Sequence, residues 1–191
     1  MLMVGQKIPE FTGQAIVNGT IQTITPTTLA TPKVFIFYPL NFTFVCPTEL
    51  HAFQEAKVHF DAKNVTIYGI SVDSVYSHLA WLAIPREHGG IKGVTFPLIG
   101  DITKFFTRQC GVLHEEAGIA YRALFIVDHH NTIHAVQLTN KSIGRSVEET
   151  LRLVDAMLFT EKSGKACPAN WSLDKSPLDP TSRGIKEYFG Q

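Results

Sequence analysis

The order of apolar and polar stretches predicts a strand, a helix and a second strand in the first half of the chain. Residues 33–38, KVFIFY, form a short run of β-branched and aromatic side chains that is typical of a buried strand. Residues 64–72, NVTIYGISV, form a second such run. Between them, four positions fall at near-helical spacing: Leu50, Phe53, Lys57 and Phe60. Pro47 suits a first helical position. Such a strand–helix–strand unit implies parallel pairing.

The middle of the chain continues this alternation. A second helix is predicted over residues 74–84, ending before Pro85. Residues 95–100, TFPLIG, suit a short strand or an edge segment, because proline cannot donate to a central ladder. Two further apolar runs, at 121–128 and 132–138, flank the sequence DHHN, and this pattern predicts a hairpin.

The clearest helical pattern lies near the C-terminus. Ser146 and Glu149 form a capping-box pattern, and apolar side chains follow on one helical face: Val147, Leu151, Val154 and Leu158. After Thr160 the sequence is rich in Pro, Ser, Gly and charge, which indicates an irregular arm. We therefore predict an α/β fold with a mixed central sheet flanked by helices over residues 1–160, and a C-terminal arm over residues 161–191.

The totals restrict the classes of function. The chain has 191 residues, and its 17 basic side chains balance its 17 acidic ones, so overall charge does not favour binding to nucleic acid or to an anionic membrane. The first residues show no charged leader followed by a long apolar core, and no apolar stretch approaches the length of a membrane span. We expect a cytoplasmic protein whose three cysteines are free or catalytic thiols.

Cys46 has a distinctive setting between the first apolar run and Pro47. A helix that begins there would direct its unpaired N–H groups and its dipole at the sulfur, which favours a thiolate. Thr43 can offer a hydroxyl to the sulfur or to its reaction partner, and Pro39 would stiffen the segment. The position also suits a small buried hydrophobic residue, because free cysteines are among the most buried side chains. Position alone leaves both interpretations open.

Residues 37–50, FYPLNFTFVCPTEL, resemble the active-site segment of the peroxiredoxins, whose Pro-x-x-x-Thr-x-x-Cys motif is matched by Pro39, Thr43 and Cys46. Other segments resemble typical two-cysteine members of that family in the same order along nearly the whole chain: SVDSVYSHLAWLAIPREHGG, EEAGIAYRALFIVD, IGRSVEETLRLVDA, ACPANW and KEYF. The resemblance implies a thioredoxin-like fold and a thiol peroxidase that needs no cofactor, neither metal nor haem.

The resemblance assigns roles to four residues of the predicted site. Cys46 would be the peroxidatic cysteine, whose thiolate attacks the O–O bond and becomes a sulfenic acid. Arg122 would stabilise the thiolate and polarise the peroxide, a task that suits a permanently charged guanidinium. Thr43 would accept a peroxide proton or hydrogen-bond a peroxide oxygen, and Pro39 would shield the sulfenate from solvent.

Two further charged residues match the family pattern. Glu49 corresponds to the glutamate that orients the arginines, and Arg145 corresponds to a second arginine near the thiolate. Without the resemblance, Arg122 would equally fit a surface ion pair, and Arg145 would fit the chemistry of a helix start.

Cys167, in ACPANW, corresponds to the resolving cysteine, which would condense with the sulfenic acid to form a disulfide. In the family this cysteine comes from the partner subunit of a head-to-tail homodimer, and five dimers form a ring. The sequence itself does not distinguish this pairing from a bond within one chain. The implied substrates are hydrogen peroxide and organic hydroperoxides, and the implied reductant is a thioredoxin-type dithiol or a flavoprotein reductase.

Cys110 lies where the family has no catalytic cysteine, so we expect it to have a packing role. The eight histidines lack metal-ligand spacing, and DHHN at 128–131 is better explained as a polar turn than as a zinc site.

A glycine-rich loop departs from the family pattern. Members that are sensitive to over-oxidation have a Gly-Gly-Leu/Ile-Gly loop covered by a C-terminal Tyr-Phe helix. Residues 89–91 match the loop and Tyr188 and Phe189 match the tail, but Lys92 stands where the last glycine belongs. Lysine does not adopt positive φ as readily as glycine. Our hypothesis is that the tail packs less tightly on this loop, with intermediate sensitivity to peroxide.

Other classes of function also fit such a chain. An oxidised protein of this kind could pass its disulfide to a client as a redox relay, or act as a chaperone-like holdase. A general disulfide oxidoreductase fits less well, because the chain has no Cys-x-x-Cys pair.

Overall fold

The computed structural model describes residues 2–190, which form two compact units divided between Val147 and Glu148. The first unit contains the strands β1 (Gly13–Val17), β2 (Thr20–Ile24), β3 (Lys33–Phe37), β4 (Thr66–Ser71), β5 (Leu98–Gly100), β6 (Leu113–His114), β7 (Ile119–Ala120), β8 (Arg122–Val127) and β9 (Ile133–Thr139). Its α-helices are α1 (Val45–Glu55), α2 (Lys57–Asp61), α3 (Val75–Ala83) and α4 (Phe105–Gln109), and short 3₁₀ helices occupy Pro26–Thr28 and Arg86–His88.

Seven of these strands form one mixed sheet in the order β2–β1–β5–β4–β3–β8–β9, while β6 and β7 pair separately. β3, β4 and β5 are parallel neighbours, whereas β8 and β9 continue the sheet as an antiparallel hairpin. The predicted mixed sheet flanked by helices, the parallel pairing after the first helix and the hairpin are therefore confirmed.

The central strands are buried on both faces. Every residue of β3 and β8 is buried, as their continuous apolar runs require. Aromatic rings fill the space beside them: Phe35 stacks on Tyr68 with 5.3 Å between ring centroids, and Phe37 meets Phe125 edge-on at 5.8 Å. These strands form a rigid base for the loops at their ends.

Two predicted elements differ from the structure in detail, and one hairpin was not predicted. The helix predicted after Pro47 begins earlier and is divided into α1 and α2 at Ala56. β5 is a short strand as predicted, but it lies inside the sheet between β1 and β4. Pro97 precedes β5 and needs no ladder N–H, and its carbonyl oxygen accepts from the N–H of Gly69 at 2.9 Å. The hairpin β1–β2 has no counterpart among the predicted elements.

The second unit contains the rest of α5 (Val147–Ser163), a connecting segment and α6 (Ser182–Phe189). The connecting segment is held by paired backbone hydrogen bonds between Ala166 and Leu178, each 2.8 Å long. The arm is thus less irregular than predicted, because Thr181 caps α6 by accepting from the N–H of Gly184 at 2.9 Å. The domain boundary at 160/161 stays a prediction.

Within residues 2–190, no helix combines the length and the apolar character that crossing a bilayer requires.

Candidate active site

Cys46 lies in the first turn of α1 and is fully buried. Val45 begins the helix, so Cys46 and Pro47 are its second and third residues, and the predicted first position for Pro47 is wrong by two residues. Proline is tolerated there because N–H groups of the first turn have no partner within the helix. The sulfur therefore lies inside the helix start rather than just ahead of it.

Arg122 reaches Cys46 from the neighbouring strand. Because β8 pairs with β3, with Ala123 opposite Phe37, Arg122 lies at the end of β3 from which the chain leads into α1. Its Nη1 donates to Cys46 Sγ at 3.4 Å and to Glu49 Oε2 at 2.7 Å. The side chain is only 3% exposed, so Arg122 does not form the surface ion pair that its residue type alone would allow.

Glu49 is the centre of the charged cluster. It lies one turn after Cys46 on α1, where its two carboxylate oxygens accept from Nε and Nη2 of Arg145 at 2.7 and 2.8 Å. The backbone N–H of Arg145 also donates to Glu49 Oε1, at 2.9 Å. Burial alone would raise the pKa of Glu49, but the hydrogen bonds and charge of Arg145, together with the charge of Arg122, hold that pKa below its ordinary value.

Arg145 is anchored to the ends of two central strands. Its Nη1 donates to the carbonyl oxygens of Phe37 and Ala123 at 2.8 and 2.6 Å, and the side chain has no exposed surface. Arg145 thus ties the loop before α5 to β3 and β8. Within residues 2–190 its guanidinium donates to Glu49 and to these carbonyl groups rather than to the sulfur.

The buried cluster beside Cys46 carries an excess positive charge. Arg122 and Arg145 contribute two positive charges and Glu49 contributes one negative charge. An uncompensated buried charge is costly, and a thiolate at Cys46 would compensate it. The same guanidinium groups disfavour a metal cation beside the sulfur.

A cleft of about 530 Å³ opens in front of the cluster, and the predicted site residues Pro39, Thr43 and Arg122 line it with Lys141. Arg122 therefore lines the cleft and also hydrogen-bonds to the sulfur of Cys46. Thr43 Oγ1 donates its hydrogen to the carbonyl oxygen of Leu40 at 2.9 Å, which leaves the hydroxyl oxygen as an acceptor.

A buried polar network that the sequence did not indicate holds the loop between β3 and α1. The backbone N–H of Asn41 donates to Asp73 Oδ2 at 2.9 Å, and Asn41 Oδ1 accepts from the hydroxyl of Tyr38 at 2.9 Å. His78 Nε2 donates to the carbonyl oxygen of Ile99 at 3.1 Å, so its Nδ1 can accept from Asn41 Nδ2 at 2.9 Å. Burial is the main cause that raises the pKa of Tyr38 and lowers the pKa of His78, so both stay neutral.

Cys167 belongs to the second unit, where it is partly buried as a free thiol. Its Sγ lies 3.9 Å from the carbonyl oxygen of Ala156 on α5. Burial raises the pKa of Cys167, and the charge of Arg152 acts in the opposite direction. The nearby Trp171 is buried and packs on Phe159 with 4.8 Å between ring centroids.

Cys110 is fully buried in the core of the first unit, which supports the predicted packing role. Burial, and to a smaller extent the charge of Asp101, raise the pKa of Cys110 far above its ordinary value. Its thiol is thus held in the unreactive neutral form.

The glycine-rich loop places positive φ angles at Gly89 (76°) and Gly93 (98°). Lys92 is not among the described residues with positive φ, so the conformational cost that the sequence suggested for lysine does not arise. Tyr188 and Phe189 are the last two residues of α6, in the second unit. Packing of this tail on the loop, and intermediate sensitivity to over-oxidation, stay predictions.

Comparison with known families and proteins gives consistent matches over the whole chain. Residues 4–136 match the AhpC/TSA family, and residues 156–191 match the C-terminal domain of 1-Cys peroxiredoxin. The mitochondrial thioredoxin-dependent peroxide reductase of Mus musculus is 44% identical over 97% of this chain and 73% of its own length. Peroxiredoxin-2 of Bos taurus is 40% identical over 98% of this chain and 95% of its own length.

Solved structures agree with these sequence matches. The crystal structure of reduced 2-Cys peroxiredoxin from Plasmodium vivax superposes with a TM-score of 0.95 at 36% identity, covering 98% of each chain. That of Enterococcus faecalis AhpC gives a TM-score of 0.81 at 35% identity, covering 88% of this chain and all of the other. The predicted thioredoxin-like fold is thereby confirmed.

Proposed function

Because the chain belongs to the AhpC/TSA family of peroxiredoxins, we propose that it is a thiol peroxidase in which Cys46 reduces the peroxide and Cys167 resolves the product. The observation that carries this proposal is the hydrogen bond of 3.4 Å from Arg122 Nη1 to Cys46 Sγ, within a buried cluster that has one excess positive charge. The names of the relatives favour this function over a redox relay or a holdase.

The first chemical step follows from the cleft. A peroxide bound beside Arg122 is attacked by the Cys46 thiolate, the O–O bond breaks, and the products are a sulfenic acid and hydroxide, or an alkoxide from an organic hydroperoxide. The guanidinium stabilises the negative charge as it moves from sulfur to oxygen. The Thr43 hydroxyl hydrogen-bonds the peroxide, and Pro39 limits access of water to the sulfenate. Both residues line the cleft, which is large enough for hydrogen peroxide and small organic hydroperoxides.

Charge positioning is the role that we assign to the remaining two site residues. Glu49 accepts from both arginines and so fixes the orientation of the Arg122 fork, while Arg145 binds Glu49 and the ends of two strands. Their contacts keep Arg122 directed at the sulfur without reorganisation during the reaction.

In the second step the thiol of Cys167 condenses with the sulfenic acid, forming a disulfide and releasing water. A thioredoxin-type dithiol or a flavoprotein reductase then reduces the disulfide. The relative from Mus musculus is named as thioredoxin-dependent, which supports the dithiol. We assign Cys167 to a partner subunit, as the resemblance to two-cysteine peroxiredoxins implies, and the cytoplasm as the compartment, although that relative is mitochondrial.

The sheet offers an edge for a homodimer. β9 is the last strand of the sheet, it is seven residues long, and it contains neither proline nor lysine. Within the described residues no named strand pairs with its outer side, and only its first residue, Ile133, is bonded there, to Gly5 and Gln6 at 2.8 and 2.9 Å. Edges of this kind are suited to pairing with a second chain, and such pairing supports a dimer.

A second surface supports assembly of dimers into a ring of five. Because β3, β4 and β5 are parallel, the segments that follow them all lie beyond the C-terminal ends of these strands. Exposed large apolar side chains recur on these segments, and we call them the apolar rim: Phe42, Phe44, Tyr76, Ile102 and Phe105. Exposed apolar groups clustered in this way are typical of an interaction surface.

Peroxide consumption with a thioredoxin system tests the proposed function in three proteins. Wild type should turn over, Cys46→Ser should fall to the uncatalysed background, and Cys167→Ser should reduce one peroxide per subunit without further cycling. Normal turnover by Cys46→Ser would refute the assignment of the nucleophile. Non-reducing gels of oxidised wild type report whether the disulfide joins two chains, and a band at monomer mass would contradict the intersubunit bond.

A further inference from the structure

A smaller cavity adjoins the cleft in front of Cys46, and the proposed chemistry does not use it. Its volume is about 200 Å³, and residues of the β6–β7 hairpin and of the segment after β9 line it: His114, Ile119, Ala120, Tyr121, Asn140 and Lys141. Ile119 and Lys141 also line the larger cleft. The two cavities therefore meet at these two side chains.

Lys141 lies beside the reacting groups because its backbone is bonded to Arg122. The carbonyl oxygen of Lys141 accepts from Arg122 Nε at 2.7 Å, and Arg122 Nη1 donates to Cys46 Sγ at 3.4 Å. The side chain of Lys141 is exposed, and within residues 2–190 its ammonium group forms no ion pair. Its charge is therefore available to a ligand in either cavity.

Three neutral polar side chains line the smaller cavity together with Lys141. His114 Nδ1 accepts from the N–H of Ala117 at 3.2 Å, so in the neutral ring Nε2 carries the hydrogen. Asn140 and Tyr121 add an amide NH₂ group and a hydroxyl, both of which can donate. Hydrogen-bond donors therefore predominate among the groups that a ligand in this cavity would meet.

The charged side chains that line the two cavities are both positive. They are Arg122 and Lys141, and no carboxylate of the part of the chain described by the structure lines either cavity. Glu115, on the turn between β6 and β7, is paired with Arg108 at 3.1 Å. A thiolate at Cys46 would balance the excess charge of the buried cluster but not that of Lys141. An anionic group on the substrate is the partner that this charge favours.

We propose that the smaller cavity is a subsite for the carboxylate of an organic hydroperoxide, and that Lys141 discriminates such anionic substrates from neutral ones. The alkyl chain would lie along Ile119, which borders both cavities. The inference rests on the proposed function and specifies its substrate class. The reaction itself is unchanged: the Cys46 thiolate becomes a sulfenic acid, and the alkoxide leaves and takes up a proton from water. The carboxylate does not react, and it contributes binding energy from a remote part of the substrate.

The test compares two hydroperoxides that differ in charge. One is a derivative of hexanoic acid with the O–OH group at the far end of its chain, and the other is the methyl ester of that acid. Rapid-quench mass spectrometry of the reduced protein gives the rate constant for loss of the Cys46 thiol with each. In wild type the acid should react about tenfold faster than the ester, because a charged hydrogen bond holds it. High salt should lower this ratio, because it screens exposed charges.

Three variants assign the preference to one side chain, and the ratio within each protein cancels any general effect on Cys46. Lys141→Gln should bring the ratio close to one, whereas Lys141→Arg keeps the charge and should retain most of the preference. The matched control is Lys57→Gln, which removes the same charge from α2, an element that precedes β4 and so lies toward the opposite ends of the strands. Its ratio should equal that of wild type.

A ratio near one in wild type would overturn the subsite. So would a ratio that Lys141→Gln leaves unchanged, or one that Lys57→Gln lowers equally, since the preference would then come from the overall charge. Hydrogen peroxide separates this inference from the proposed function. If H₂O₂ does not oxidise Cys46 in wild type, the proposed function fails, whereas oxidation by H₂O₂ without a preference for the acid rejects the subsite alone.

Discussion

At the scale of single residues, the site depends on one carboxylate between two guanidinium groups. Glu49 accepts hydrogen bonds from Arg122 and Arg145 while being almost fully buried. Because its pKa in the folded protein lies below the ordinary value of 4.5, ionised Glu49 stabilises the fold above that pH. The stabilisation is lost as the pH falls through the lower folded value, where the carboxylate takes up a proton.

Replacing Glu49 with glutamine should therefore have an effect on stability that depends on pH. At pH 7 we expect the free energy of unfolding to fall by about 3 kcal/mol, because two buried guanidinium groups lose their counter-charge. In urea titrations between pH 7 and pH 3, the difference from wild type should shrink below pH 4.5. Glu116→Gln, which alters an exposed carboxylate, serves as the control. A difference that stays constant over this range would contradict the assigned ionisation.

The residues of the site differ in how far the sequence could identify them. Pro39, Thr43 and Cys46 lie within one short motif, so the sequence alone predicts that they lie near one another, while their roles come from the family resemblance. Asn41 was missed because its partner, His78, is 37 residues away. No local pattern reports a hydrogen bond to a side chain on another element.

At the scale of elements, continuous apolar runs were predicted correctly and the exposed hairpin was not. β2 has four exposed residues in a run and lies at the edge of the sheet, so burial leaves no clear pattern in its sequence. The signal that could have found it is the turn, since Asn18 and Gly19 have φ angles of 51° and 76°. An Asn-Gly pair between strands is typical of a two-residue hairpin.

This hairpin gives a prediction that separates stability from chemistry. Gly19→Ala should lower the free energy of unfolding by about 1 kcal/mol, because alanine adopts positive φ poorly. An added Cβ at Gly19 meets nothing within 4 Å, so the cost is conformational rather than steric. Urea unfolding measures it, with Gln22→Ala on β2 as the control. The rate of peroxide reduction should not change, since β1, β5 and β4 separate β2 from β3. Unaltered stability would refute the turn geometry.

At a larger scale, the topology places Cys46 and the apolar rim beyond the same ends of the parallel strands β3, β4 and β5. Cys46 follows β3, and the apolar rim occupies the segments after β3, β4 and β5. An assembly that covers the rim would also restrict the loop that leads into α1. Sequence periodicity could predict the strands. It could not predict which exposed side chains lie near one another at the ends of those strands, because that requires the order of the strands in the sheet.

The role of the apolar rim can be tested by placing a charge on it. Tyr76 is 69% exposed on α3, so Tyr76→Glu should leave the fold intact and disperse a ring of five dimers into dimers, because a carboxylate would be desolvated at the contact. Sedimentation velocity measures the mass. Val58 is 66% exposed on α2, which precedes β4, so it lies toward the ends of the strands opposite to the apolar rim. Val58→Glu is therefore the matched control. A ring that persists in Tyr76→Glu, or that dissociates equally in Val58→Glu, would place the contact elsewhere.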